Sequence, residues 1–152
     1  MKSLIITFIF SCFIYNGFGQ FTSEWRGIGR TGIYNETGLL KKWPENGPQL
    51  LWSLKELPKS NSSVAIGKNM LYLTGTKDTM EVLMAFDMNG KKLWETSFGR
   101  AWTASFSESR CTPTIDDNRI YVTTGKLDAA CIDGSNGKII WQVKVNEKFD
   151  GV

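Results

Sequence analysis

Residues 85–94 read AFDMNGKKLW, and residues 130–141 repeat this phrase as ACIDGSNGKIIW. In both copies an Asp ends an apolar run, a Gly follows three or four residues later, and a Trp closes the phrase four residues after the Gly. Gly in that place is typical of a hairpin turn, because it tolerates the positive φ that tight turns need. Each copy therefore predicts two antiparallel strands joined by a short turn.

The closing Trp occurs a third time, in residues 47–52, which read GPQLLW. The three tryptophans, Trp52, Trp94 and Trp141, lie 42 and 47 residues apart. A second phrase, MLYLT at 70–74 and IYVTT at 120–124, repeats in the same order. Periods of about 40–50 residues that contain several strands are typical of β-propellers.

Each repeat divides into four short strands, which predicts one blade over residues 61–98 and another over residues 109–146. The predicted fold class is all-β: a partial β-propeller of two four-stranded antiparallel blades. Residues 49–54 are expected to add one closing strand, with Trp52 in the docking position. Because propellers close with about four to eight blades, we expect an incomplete ring and an N-terminal fragment of a longer protein.

The chain begins with the three parts of a secretory signal peptide. Lys2 precedes a mostly apolar run over residues 4–15, and small residues in 17–19 fit cleavage before Gln20. The run is shorter than the roughly 20 residues that a membrane-spanning helix needs. The alternatives are lipid attachment at Cys12 and a buried N-terminal strand. The predicted organisation is a signal peptide at 1–19, an N-terminal extension at 20–48 and a propeller portion at 49–152.

Charge and composition exclude several function classes. The 18 basic and 15 acidic residues give a net charge of +3, far from the basic stripe of a nucleic-acid-binding protein. The absence of histidine excludes Ser-His-Asp and Cys-His catalysis and histidine-ligated zinc. We therefore expect no nucleic-acid partner. The leader predicts an exported protein that is periplasmic, envelope-bound or extracellular, with no transmembrane segment after the leader. Its partners are expected to be proteins.

Two cysteines remain beyond the leader, Cys111 and Cys131. Export would allow them to oxidise. However, Cys111 precedes the first strand of its blade and Cys131 lies in the third, and next-but-one strands are about 9–10 Å apart. A disulfide needs Cα atoms within about 7 Å. Both cysteines are therefore predicted to be small packing residues.

The repeated phrase resembles that of the pyrroloquinoline quinone (PQQ)-like β-propeller repeats. The stretch that begins at Trp25 is similar to the opening of exported bacterial proteins related to the outer-membrane-protein assembly factor BamB. This resemblance covers about residues 25–146. It implies that each closing Trp wedges between neighbouring blades, over the turn glycine of the next repeat; the alternative is an ordinary tryptophan in a β-sandwich core. The motif positions are Trp52, Ala85, Asp87, Gly90, Trp94, Ala130, Asp133, Gly137 and Trp141.

PQQ-dependent dehydrogenases share this repeat, so the resemblance also implies a possible enzyme. Those enzymes have an adjacent cysteine pair over the quinone and acidic and Asn ligands for calcium, whereas this chain has no adjacent cysteines. The resemblance thus concerns the fold. We expect no cofactor, no metal and no catalytic residue in this chain.

Three further motifs match the residue patterns of known sites but lack the structural context that those sites need. Residues 27–32 (GIGRTG) fit G-x-G-x-x-G, but a dinucleotide site needs a strand before it and a helix after it. Asp116 and Asp117 are adjacent, so their side chains point to different sides and suit a turn better than an acid–base pair. Residues 133–137 (DGSNG) resemble a calcium loop without its later acidic ligand.

The link between the blades is the candidate interaction loop, with Arg100, Trp102, Phe106 and Arg110. Loops on a rigid scaffold commonly carry binding residues, and Trp and Arg are frequent interface anchors. The alternative is that Trp102 and Phe106 fold back onto the blade. The predicted function is a non-catalytic protein-binding scaffold of the bacterial cell envelope. The alternative is a PQQ-type or other periplasmic oxidoreductase whose active residues lie outside this chain.

Overall fold

Residues 22–149 are described by the computed structural model, so the signal peptide, its cleavage site and Cys12 lie outside the described residues. Strands dominate the described part, as the hairpin and strand signals predict. The elements are β1 (Thr22–Ser23), a 3-10 helix (Ile28–Arg30), β2 (Ala65–Gly67), β3 (Met70–Lys77), β4 (Met80–Asp87), β5 (Lys92–Arg100), β6 (Thr114–Asp116), β7 (Arg119–Thr123), β8 (Asp128–Asp133), β9 (Ile139–Lys144) and α1 (Val145–Lys148).

The strands form two antiparallel sheets, one for each sequence repeat. The first sheet has the order β2-β3-β4-β5, and the second has the order β1-β6-β7-β8-β9. The prediction of an all-β fold with two four-stranded blades is confirmed. The fifth strand of the second sheet comes from the N-terminal extension, where Thr22 pairs with Asp116 and Ser23 with Ile115. This pairing joins the start of the described chain to the first strand of the second blade.

Residues 49–54 do not form the predicted closing strand, since the structure shows no ladder pairing for them within residues 22–149. A strand needs a neighbouring edge with which to exchange backbone hydrogen bonds. This segment lies over the first sheet instead. Leu54 packs against the cluster on the free face of that sheet, and Trp52 lies against Gly90. The cluster consists of Leu71, Val82, Met84 and Phe86.

The main core lies between the two sheets. Strand residues alternate between the two faces of a sheet, so each sheet contributes every second residue to this core. Burying a Val, Leu, Ile or Phe side chain stabilises a fold by about 1.5–3 kcal/mol relative to leaving it exposed, so the layer between the sheets is the main source of stability. The buried members are Ala65, Tyr72, Leu83, Ala85 and Phe98 from the first sheet and Ile115, Ile120, Val122, Ala130 and Ile132 from the second.

A tryptophan of the first sheet packs directly on a turn glycine of the second. An ideal Cβ on Gly137 would lie 2.7 Å from the Trp94 ring, and Gly137 has a φ of +74°. Only glycine satisfies both conditions without strain. The Thr96 hydroxyl donates to the Gly137 carbonyl at 2.6 Å, and the Tyr72 hydroxyl donates to the Gly134 carbonyl at 3.2 Å. The Trp94 indole N–H is buried with no hydrogen-bond partner among the described residues, so this tryptophan acts by packing.

The same contact occurs one repeat earlier. An ideal Cβ on Gly90, where φ is +82°, would lie 3.1 Å from the Trp52 ring and 3.2 Å from Leu54. In both cases the closing Trp of one repeat therefore covers the turn glycine of the next, even though residues 49–54 are not a strand. The third closing residue, Trp141, is 45% exposed. Its ring lies 6.1 Å from that of Tyr121, just as the rings of Trp94 and Tyr72 lie 6.0 Å apart.

The ladder registers show which residues of the two repeats are equivalent. Ala85 pairs with Trp94, and Cys131 pairs with Trp141, with a β-bulge immediately after each of them. Cys131, and not the motif residue Ala130, therefore occupies the place of Ala85. Ala130 points into the core between the sheets. The sequence agrees with this register, since Ala85 and Cys131 each lie two residues before the Asp of their repeat, whereas Ala130 lies three residues before Asp133.

Replacing Gly137 with Ala should destabilise the protein more than replacing Gly47 with Ala. Both glycines have a φ of +74°, but an ideal Cβ meets Trp94 at Gly137 and nothing within 4 Å at Gly47. Both variants carry the cost of a left-handed residue, about 1–2 kcal/mol. We expect Gly137→Ala to lose roughly 1–3 kcal/mol more, from overpacking. Denaturant melts measure the difference, and equal losses would contradict the docking role of this contact.

Trp94→Ala should cost far more stability than Trp141→Ala. The two residues hold equivalent places beside a tyrosine, but only Trp94 has the other sheet packed against it. A large aromatic side chain removed from a core costs about 3–5 kcal/mol. We expect about 1 kcal/mol or less for the exposed equivalent. Urea unfolding followed by far-ultraviolet circular dichroism measures both; similar midpoints would contradict this assignment.

Candidate functional site

The link between the two sheets borders the candidate site, a cavity of about 360 Å³. Three parts of the fold surround it: the start of β4, the link after β5, and the turn between β7 and β8. The cavity is lined by Glu81, Trp102, Phe106, Glu108, Arg110, Cys111, Thr123, Thr124 and Gly125. The structure thus brings together three of the four residues of the predicted interaction loop, namely Trp102, Phe106 and Arg110.

Trp102 lies against the turn of the second sheet and is 41% exposed. An ideal Cβ on Gly125 would lie 2.7 Å from the Trp102 Cβ, so only glycine allows the link to approach this closely. The indole Nε1–H donates to the Ser105 hydroxyl at 3.1 Å. These contacts fix the base of the side chain and leave part of the ring at the cavity.

Phe106 and Arg110 form a local pair at the outer side of the link. Phe106 is 78% exposed, so it does not fold back onto the blade. The Arg110 guanidinium lies 5.5 Å from the centre of the Phe106 ring and donates to the Phe106 carbonyl at 2.9 Å. A cation over an aromatic face is a favourable contact, so this pair presents an aromatic ring and a positive charge together.

Glu81 is the one strongly buried acid at the cavity among the described residues, at 3% exposure. Its carboxylate accepts from the Ser109 hydroxyl at 2.6 Å and from the Gly125 backbone N–H at 3.1 Å. It therefore joins the first sheet to the link and to the second sheet. The sequence analysis overlooked it, although a single acidic residue in the apolar run MEVLMAF (80–86) was a visible signal.

The Cys111 thiol is half-buried beside the same cavity. Its sulfur accepts from the Thr123 backbone N–H at 3.2 Å. Burial raises the pKa of this thiol, and the charge of Glu81 adds to the rise, while the Thr123 hydrogen bonds partly oppose it. The thiol is thus protonated near neutral pH, which is unlike an activated nucleophile. Cys131 is buried in β8, and both cysteines are free.

Arg100, the fourth residue of the predicted loop, lies outside the cavity. Its guanidinium pairs with Asp128 of the second sheet at 3.2 Å and with Glu147 of α1 at 3.2 Å. Its backbone N–H also donates to Asp128 at 2.9 Å. Burial alone would raise the pKa of Asp128, but the hydrogen bonds and charge of Arg100 hold that pKa below its ordinary value. Arg100 is therefore a brace between the sheets.

The two motif aspartates hold their turns. Asp87 accepts from the backbone N–H groups of Asn89 and Lys91, both at 2.9 Å. Asp133 accepts from the backbone N–H of Ser135 at 2.8 Å, and the hydrogen bonds of Ser135 lower the pKa of its carboxyl. These are side-chain turns that favour the hairpin.

Two further kinds of feature are absent from the part of the chain that the structure describes. Within residues 22–149, no set of three His, Cys, Asp or Glu side chains is arranged so that it could hold a metal ion. No described helix combines the length and the apolar character needed to span a bilayer.

Residues 78–152 match the family model described as outer membrane protein assembly factor BamB. This part of the chain carries a PQQ-like β-propeller repeat. The matched region starts in the turn between β3 and β4 and includes strands β6 to β9 of the second sheet, but not β1. It therefore contains Glu81, the link and the turn at Gly125, which together border the cavity. No curated protein matches the chain.

Asp128→Asn should remove a pH-dependent part of the stability of these repeats. The folded pKa of Asp128 is below its ordinary value, so its stabilisation is complete above the unfolded pKa of about 3.9 and disappears as pH falls through the folded pKa. We expect a loss of about 1.5–3 kcal/mol at pH 7 and a smaller loss at pH 3. Denaturant melts at both pH values measure it.

Asp117→Asn is the control for this measurement. Asp117 also forms an ion pair, with Lys68, but its side chain is largely exposed. Solvent screens such an exposed pair, so we expect a much smaller loss of stability than in Asp128→Asn. A pH-independent loss in Asp128→Asn, or an equal loss in Asp117→Asn, would contradict the role assigned to Asp128.

Proposed function

We propose that this chain is a non-catalytic, protein-binding scaffold of the bacterial cell envelope. The observation that carries the proposal is the cluster at the link, where Trp102, Phe106 and Arg110 border a cavity on two packed sheets. Aromatic and arginine side chains are the most frequent anchors of protein interfaces. Here they are partly exposed and supported by a rigid base, which suits the capture of a partner.

The chemistry of the cavity supports a binding role rather than catalysis. The Glu81 carboxylate is engaged with two neutral donors, Ser109 and Gly125. The Cys111 thiol has a raised pKa, and its nearest partner is Thr123. A nucleophile needs an adjacent base that activates it, and no such pair borders this cavity within the described residues.

The residues at the cavity do not fit pyrroloquinoline quinone, the cofactor that the superfamily name suggests. That cofactor is a planar polycarboxylate, and the cavity presents the carboxylates of Glu81 and Glu108. The guanidinium of Arg110 is held by the ring and carbonyl of Phe106. An anionic cofactor would therefore meet two carboxylates and one guanidinium that is already engaged, and we propose that this chain works without a cofactor.

The envelope location rests on two independent observations. The matched family is described as an outer membrane protein assembly factor, which favours protein partners in the envelope. The first 19 residues have the pattern of a secretory signal peptide.

Site-specific photocrosslinking in cells tests the scaffold. A photoreactive phenylalanine analogue at Phe106 should give discrete protein adducts. The same analogue at Met88, an exposed residue that follows the end of β4 distant from the cavity, should not. Adducts that are absent at Phe106, or equal at both positions, would contradict the proposal.

The rival function is tested with the purified chain. Incubation with pyrroloquinoline quinone, calcium, a redox dye and alcohols or sugars should give no reduction above the protein-free rate. Protein-dependent dye reduction would instead support the PQQ-type oxidoreductase.

A further inference from the structure

We propose that the cavity beside the link is a receptor for one basic side chain, a lysine or arginine of a partner polypeptide, with Glu81 as the receiving carboxylate. This inference rests on the proposed scaffold function, because it requires a polypeptide partner. It adds the chemical identity of the group that enters the cavity.

The charge of Glu81 is not balanced by any cation in the described chain. Both hydrogen bonds to its carboxylate come from neutral donors, the Ser109 hydroxyl and the Gly125 N–H. No lysine or arginine among residues 22–149 forms an ion pair with Glu81. Strongly buried carboxylates are normally paired with a positive charge. A carboxylate can accept about four hydrogen bonds, so Glu81 retains capacity for a further donor.

A second buried acid, Asp128 of the neighbouring sheet, shows the usual arrangement. Asp128 has a side-chain exposure of 2% and receives the guanidinium of Arg100. Both acids lie at the same end of the two sheets, since Glu81 pairs with Gly99 and Asp128 is hydrogen-bonded to Arg100. The Asp128 carboxylate thus has its cation within the described residues, whereas the Glu81 carboxylate has none.

The only basic residue that borders the cavity in the described chain is already engaged elsewhere. Arg110 donates to the Phe106 carbonyl and lies over the Phe106 ring. It therefore does not neutralise Glu81. It also shows that an aromatic ring of this link holds a cation, and the partly exposed ring of Trp102 offers a second face for cation–π attraction.

The remaining features of the cavity also favour a long basic side chain. Glu108 adds a second carboxylate to the lining. A volume of about 360 Å³ is near the lower limit of ligand pockets, which are about 300–1,000 Å³, and so suits one side chain. Aromatic walls would contact the aliphatic stem, while its charged end would reach Glu81.

A pair of small probes tests this receptor on the whole chain. Nα-acetyl-lysine N-methylamide carries the ammonium group, and the matching norleucine compound lacks it. In two-dimensional NMR titrations, the lysine probe should shift the Trp102 indole and Gly125 amide signals, and the norleucine probe should not. The Trp102 signal is assigned by its loss in Trp102→Phe.

Glu81→Gln should weaken binding of the lysine probe at least tenfold, while Glu45→Gln, at an exposed residue away from the cavity, should leave it unchanged. If Glu81→Gln does not fold, the wild-type chain decides alone: raised salt should weaken binding of the lysine probe, because salt screens charge–charge attraction. Equal shifts with both probes, no shift with either, or salt-independent binding would overturn the proposal.

The two proposals fail in different ways. Protein adducts at Phe106 without binding of the lysine probe would keep the scaffold and overturn the receptor for a basic side chain. Binding of the lysine probe without adducts at Phe106 in cells would support the receptor and count against the scaffold.

Discussion

The contact between the Trp94 ring and Gly137 is the constraint on which the rest of the molecule depends. It requires a residue without Cβ and with a φ of +74°, and it brings the two sheets close enough for their buried faces to form one core. The opposite end of the same interface is equally close, since an ideal Cβ on Gly99 would lie 2.6 Å from the Thr124 methyl group. Two glycines thus set the distance between the sheets at both ends, and the link must span this fixed gap.

Features encoded by neighbouring residues could be predicted from the sequence. The two hairpins follow from a Gly at a fixed distance before a Trp, and the order of the strands follows from the repeat. Features that depend on a distant partner could not be predicted. The strand β1 is only two residues long and exists because β6 offers an edge, whereas residues 49–54 have the letters of a strand but lie over a sheet face. Whether one of these segments forms a strand is therefore decided by the sheet edge available to it, and not by its own sequence.

The candidate site shows the same division. Aromatic and basic residues in a long link predicted an interaction surface, and the structure brings Trp102, Phe106 and Arg110 to one cavity. Arg100 belongs to the same stretch, but its partner Asp128 lies 28 residues away, and this pairing uses Arg100 as a brace. Glu81 is separated from the link along the chain by β5, and its pairing with Gly99 brings it back to the start of the link. The residue types of the link alone did not point to it. Only the fold places an acid from β4 beneath the link.

Two acids at one end of the interface, Asp128 and Glu81, are both withdrawn from water. Removing a carboxylate from water is unfavourable unless a cation or several donors compensate it. For Asp128 the compensation comes from within the chain, so its burial strengthens the junction of the two sheets. For Glu81 the compensation comes from two neutral donors, and its carboxylate borders a cavity that a cation of a partner can enter. The same physical rule thus makes one acid a source of stability and the other a source of affinity for a positive charge.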